Sequence, residues 1–192
     1  MDKAASFSSR TARRSTVSLV AVRYRIYLRQ PQLTDRRPFL EVARRSRVLH
    51  QPWIVAPSSA TEFRLYVKQM ALPANRAFLV CRKDSHEIAG VINITNIVLG
   101  LFRSGYLSYY AFVGHDRQGL MLEGLQTAIR VAFGSLKLHR LEANIQPGNV
   151  ASVALVRACG FSKEGYSARY LKIGGRWRDH ERWAILASPP CP

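Results

Sequence analysis

Apolar and basic residues alternate with a period of two through "VRYRIYLRQP" (22–31), which predicts a half-buried strand. The next stretch, "LTDRRPFLEVARRSRVL", sets Phe39, Leu40, Val42 and Ala43 at helical spacing behind Thr34 or Asp35 as N-cap. A second helix is predicted in "SSATEFRLYVKQMAL", capped by Ser59 or Thr61, with Phe63, Leu65, Tyr66 and Met70 on its apolar side. Strands follow in "RAFLVCR", "EIAGVINITNIVL" and "GYLSYYAFV", the first two joined by a turn at 85–87. After Gly119, "LMLEGLQTAIRVAFGSL" has helical period, "HRLEANIQ" reads as a strand and "NVASVALVRACGF" as a helix. "GYSARYLKIGGRWRDHERWAIL" is a terminal hairpin turning at Gly174 and Gly175. A central meander flanked by helices implies an α/β fold on a largely antiparallel sheet.

At 192 residues and 47% apolar composition the chain has the size and the core of one domain. That domain is expected over 23–188, with a tail at 189–192. Before it, residues 1–22 are rich in Ser and Arg and poor in acid, as in a disordered basic extension or an organelle transit segment. The formal charge of +17, from 29 Lys and Arg against 12 Asp and Glu, attracts phosphates, nucleic acid, ribosomes or anionic membranes without choosing among them. Cys81, Cys159 and Cys191 are odd in number and far apart, which argues against a disulfide framework or a metal site and fits a cytoplasmic protein. No apolar run approaches the roughly 18 residues of a membrane helix.

The chemistry is expected where strands hand over to helices. In "YAFVGHDRQGLMLEGL" a strand runs into Gly114–Gly119 and then a helix, so free N–H groups gather at an anion-binding helix start. "NIQPGNVASVALVRACGF" makes a second such junction one helix and one strand later, and its small polar start admits a ligand lying close. Two junctions so placed form a cleft for an extended ligand. "RWRDHERW" alternates charge with Trp177 and Trp183, as an edge strand with one wet face or a substrate-side clamp would.

The blocks "DRQGLMLEGL", "HRLEANIQPGNVASVALVRACGFSKEGY" and "YLKIGGRWRDHERWAIL", with "HQPW" upstream, resemble the GNAT family of N-acetyltransferases, and most of all its RimJ/RimL branch, which acetylates ribosomal-protein N-termini. The resemblance runs from about Arg23 to Leu186. It implies a mixed sheet splayed open around acetyl-CoA, and acetyl transfer directly to an amine without an acyl-enzyme. The family's phosphate loop falls on Asp116, Arg117, Gln118, Gly119, Leu120 and Met121, where Gly119 matches, Asp116 replaces a usual donor and Met121 a usual small residue. The family's Asn-x-x-Ser falls on Asn149 and Ser152, which implies that Asn149 binds the pantetheine amides and that Ser152 protonates the departing thiolate. Val156 stands where many members carry a tyrosine acid, and Arg169 where some relatives carry a carboxylate base.

Transfer needs a neutral amine, a stabilised oxyanion and a protonated leaving thiol. A protein α-amine, with pKa near 8, loses its proton far more easily than lysine. Glu142 is the candidate base, unless it pairs with Arg140, and the backbone N–H groups of Phe112 or Val113 are the candidate oxyanion donors. Glu123 reads as a structural hydrogen-bond partner and Cys159 as a packed thiol. The leading expectation is acetylation of a protein N-terminus beginning with Ala or Ser, such as a ribosomal protein, by a monomer or homodimer. The alternatives are a basic RNA- or ribosome-binding module on the same fold and an acetyltransferase for a small-molecule amine.

Overall fold

The predicted periodicities become seven strands and five helices in the computed structural model, which describes residues 24–187. The strands are β1 (Ile26–Arg29), β2 (Arg76–Arg82), β3 (Ile88–Val98), β4 (Ser104–Ala111), β5 (Arg140–Ile145), β6 (Ser162–Ile173) and β7 (Arg176–Leu186). The helices are α1 (Arg36–Arg45), α2 (Arg47–His50), α3 (Ala60–Met70), α4 (Leu120–Gly134) and α5 (Val150–Ala158). All strands join one sheet in the order β1-β2-β3-β4-β5-β7-β6, antiparallel at every pairing except β4 with β5. The extension at 1–22, Cys191 and the tail at 189–192 lie outside the described residues.

Strand alternation sorts the core into two layers. Val80, Ile92, Ile94 and Leu141 face α4 and α5, where they pack with Leu125, Val156 and Trp183. Leu79, Val91 and Phe112 face the other way, beneath Phe39 of α1 and Phe63 of α3. There the Phe39 ring lies 4.7 Å from Phe63 and stands edge-on to Phe112 at 5.5 Å. Glu123 takes the structural part expected of it, accepting from the backbone N–H and Nε of Arg25 at 2.6 and 2.7 Å and so holding the start of the domain onto α4.

Four local readings are corrected. Ser59 caps α3 as expected, accepting from the Glu62 N–H at 3.2 Å, but Leu65 is 58% exposed because it lies off the face shared by Phe63 and Tyr66. Asp35 precedes α1 without capping it, since its carboxylate is drawn back into a two-pronged ion pair with Arg29, 2.7 Å at each oxygen. The one helix expected through Leu49 is broken at Ser46 into α1 and α2. The strand containing "RWRDHERW" is interior, between β5 and β6, so β6 takes the edge and Trp183 is buried. No helix among the described residues is long and apolar enough to cross a membrane.

Candidate active site

Strands β4 and β5 pair only between Ser104–Tyr106 and Arg140–Glu142, although β4 runs on to Ala111 and β5 to Ile145. Beyond that short ladder the two strands part, and the sheet has an opening in its middle. The start of α4 stands at one lip and the start of α5 at the other. Residues from both helix starts, from β4 and from the α2 segment line a cleft of about 560 Å³, within the usual range for ligand sites.

The β3–β4 register decides which backbone groups face the opening. Phe112 donates its N–H to the Ala89 carbonyl at 2.9 Å, so Phe112 and Ala89 form a hydrogen-bonded pair of the antiparallel ladder. Alternation then turns the N–H groups of Tyr109 and Ala111 away from β3 and toward the opening. The Ala111 carbonyl follows the same rule, being met from outside the ladder by His50 Nε2 at 2.8 Å. The expected donors Phe112 and Val113 are therefore corrected. The Phe112 N–H is spent on β3, and that of Val113 donates to Ser46 Oγ at 2.9 Å.

At the α4 lip, Arg117 and Gly119 adopt left-handed conformations, φ +57° and +77°. None of the N–H groups from Arg117 to Leu122 donates to another group among the described residues. Six free donors at a helix start form an anion-binding nest. Gln118 does not line the cleft, because its amide closes the loop on itself through the Gly114 carbonyl at 2.7 Å. Asp116 is likewise turned inward in part, accepting from the Gly114 N–H at 3.2 Å. Met121 does not crowd the nest. Its sulfur lies where a Cβ on Gly90 would be, 2.4 Å from that position, so glycine in β3 makes the room that a small residue makes elsewhere.

At the α5 lip, Asn149 caps the helix by accepting from the Ser152 N–H at 3.2 Å. Both residues line the cleft, and the Ser152 hydroxyl makes no hydrogen bond among the described residues. The Tyr109 hydroxyl crosses from β4 to donate to the Ser152 carbonyl at 3.0 Å, which ties the lips together behind the opening. Burial pushes this phenol well above its ordinary range. Tyr109→Phe leaves the carbonyl without that donor and is expected to lower stability by about 1–2 kcal/mol, a fall in Tm of roughly 2–6 °C by calorimetry.

Glu142 is not brought to the cleft. It pairs with Arg140 at 2.8 Å, in a cluster where Arg140 also binds Glu164. Cys159 is packed, its thiol pushed up to about 11 by burial, and no cluster of potential metal ligands occurs among the described residues. Sequence reasoning missed Tyr109, His50 and Trp53, although "HQPW" marked the last two as a block. His115 also lines the cleft, and its Nδ1 is buried without a partner among the described residues.

Burial holds the imidazoles of His50 and His180 below their usual range. A group with a lowered folded-state pKa leaves the unfolded chain binding more protons between the two values. Stability is then full above about pH 6.5 and falls as the pH drops from there toward the folded-state value. Urea unfolding is expected to show this loss before the carboxylates titrate, and His50→Gln to flatten it.

The comparisons agree with this geometry. The ribosomal protein uS5-alanine N-acetyltransferase of Escherichia coli is 44% identical over 102 residues, which are 53% of this chain and 53% of that protein. This chain spans between half and three-fifths of the length of the first curated relatives it matches. Among solved structures, the ribosomal-protein-S5-alanine acetyltransferase of Vibrio fischeri superposes with a TM-score of 0.77 at 25% identity, covering 84% of this chain and 93% of that one. The spermidine N-acetyltransferase of Vibrio cholerae, in complex with CoA and spermine, gives 0.73 at 26%, covering 84% and 95%. With the model of the acetyltransferase (GNAT) domain matching residues 25–162, across the parted strands and both helix starts, the chain belongs to the GNAT family.

Proposed function

We propose that this protein transfers an acetyl group from acetyl-CoA directly to the N-terminal α-amine of a protein, with ribosomal proteins as the leading acceptor class. The observation that carries the reading is the parted β4–β5 edge, with unspent N–H groups on β4 and an uncommitted Ser152 hydroxyl facing the same cleft. Acetyl-CoA supplies an activated thioester. The nest at Arg117–Leu122 holds its pyrophosphate, with Gly119, Leu120 and Met121 giving backbone donors and Arg117 a cationic side chain. The Ala111 N–H and the Asn149 amide hold the pantetheine arm. The Tyr109 N–H, which faces the opening from β4, holds the oxyanion that develops on the thioester carbonyl. Ser152 gives its proton to the departing thiolate as it takes one from solvent water, which receives the proton shed by the amine, so the exchange is balanced. The α-amine needs only water as its proton acceptor near neutral pH, and Glu142 remains with Arg140.

Isothermal titration with acetyl-CoA tests the cofactor half of this reading. Micromolar binding is expected, and no binding would return the function to the basic surface as an RNA or ribosome contact, whose signature is salt-sensitive RNA binding. The likeness to a spermine-bound relative favours a polyamine acceptor as the second reading. The +17 charge opposes it, because a basic field repels polyamines.

A further inference from the structure

A second hollow, about 450 Å³, opens beside the cleft. Trp53 lines both, and the loop from Gln146 to Gly148 forms the near wall. Gly148 makes that wall possible, since a Cβ there would approach the Trp53 ring to 3.3 Å. Gln146 fixes Trp53 from behind, donating to its carbonyl at 3.2 Å. The far wall is Tyr166, Trp177, Arg178 and Asp179 of the terminal hairpin.

The charges in this hollow are not balanced. The Asp179 carboxylate is already engaged by the Tyr166 hydroxyl and the Arg169 N–H. Arg178 carries a buried Nε with no hydrogen-bond partner among the described residues. A buried donor left unmade is costly, and it marks a place where an acceptor belongs. The hairpin around it has six Lys and Arg against three Asp and Glu. All three acids are engaged, Glu164 by Arg140, Glu181 by Lys163, and Asp179 as described. Arg169, Lys172, Arg176, Arg178 and Arg182 form no ion pair among the described residues. This end of the molecule is a cationic field around a guanidinium whose buried Nε has no partner among the described residues.

We propose that this hollow binds an acidic side chain of the acceptor, an Asp or Glu two or three residues behind the amine that enters the cleft. That is the length of extended chain, at about 3.4 Å per residue, that steps over one indole ring. Arg178 receives the carboxylate, and Trp53, Trp177 and Tyr166 flank the segment that carries it. The inference rests on the proposed acetylation of a protein N-terminus and narrows its acceptor to N-termini with an early acidic residue.

The test is calorimetry on the full chain saturated with CoA, using short C-terminally amidated peptides that begin Ala-Ala-Glu or Ala-Ala-Gln. The Glu peptide is expected to bind about tenfold more tightly, a charge-assisted rather than a neutral contact, and Arg178→Gln to abolish the difference. Equal binding of the two peptides by the unaltered protein, or a preference that survives Arg178→Gln, overturns the proposal, as does failure of both peptides to bind. The peptide pair on the unaltered protein keeps the test decisive even if the variant folds poorly. Acetyl transfer to the same peptides is read separately. Selective binding without transfer removes the catalytic reading and keeps the hollow, while transfer without selectivity does the reverse.

Discussion

Ser152→Ala is expected to lower kcat about 100-fold, the lower end of what a positioned proton donor contributes, with acetyl-CoA affinity changed by less than about threefold. The reason lies in how the residue is held. Its N–H is used by the Asn149 cap and its carbonyl by Tyr109, so backbone bonds place the side chain and only the hydroxyl is left for chemistry. Alanine keeps both backbone bonds and favours the helix. A loss in kcat without a loss in binding therefore reads the hydroxyl alone. Steady-state kinetics with an Ala- or Ser-initiated peptide, beside calorimetry for the cofactor, separates the two quantities.

Gly119→Glu is expected to weaken acetyl-CoA binding by about 100-fold or more. Gly119 sits at φ +77°, where a side chain is strained by roughly 1–2 kcal/mol. A carboxylate at the mouth of the nest adds like-charge repulsion against a pyrophosphate, on the order of 2–4 kcal/mol at close range near a protein surface. Gly119 is exposed, so the fold has little at stake there. The added side chain also meets Arg25, whose Nη2 would lie 3.3 Å from the new Cβ, and an ion pair with it would offset part of the repulsion. Gly119→Ala separates the strain from the charge. Calorimetric titration of both variants is expected to show a modest loss for alanine and a severe one for glutamate.

Much of the fold was legible because it is written locally. The period-two run of β1, the apolar runs of β2 to β4, the Ser59 cap and the glycine turn at 174–175 each act within a few residues, and the structure places them where the pattern does. The two lips were legible for the same reason, since Gly119 and Asn149 are helix starts that announce themselves by residue type. What was not legible depends on partners distant in sequence. Alternation along β4 was visible, but which edge its N–H groups face is set by the pairing of Phe112 with Ala89, so the candidate oxyanion donors Phe112 and Val113 gave way to Tyr109. Met121 looked too large for its loop because the space it fills is created by Gly90, on another strand. Glu142 lay on a suitable strand, yet Arg140 claims it, in a cluster with Glu164 that pairing β5 through β7 to β6 assembles. His50 reaches Ala111, and Trp53 reaches Gly148, only after α2 and its following segment fold over the end of β4.

Whether a protein α-amine receives the acetyl group is read by mass spectrometry of one peptide. The peptide begins with Ala, carries Glu at its third position and an internal Lys, and is incubated with acetyl-CoA and the full chain, with spermine in a parallel reaction. A single acetyl group on the α-amine is expected, with none on the Lys side chain and none on spermine. Acetylation of spermine or of Lys with the α-amine left free would contradict it.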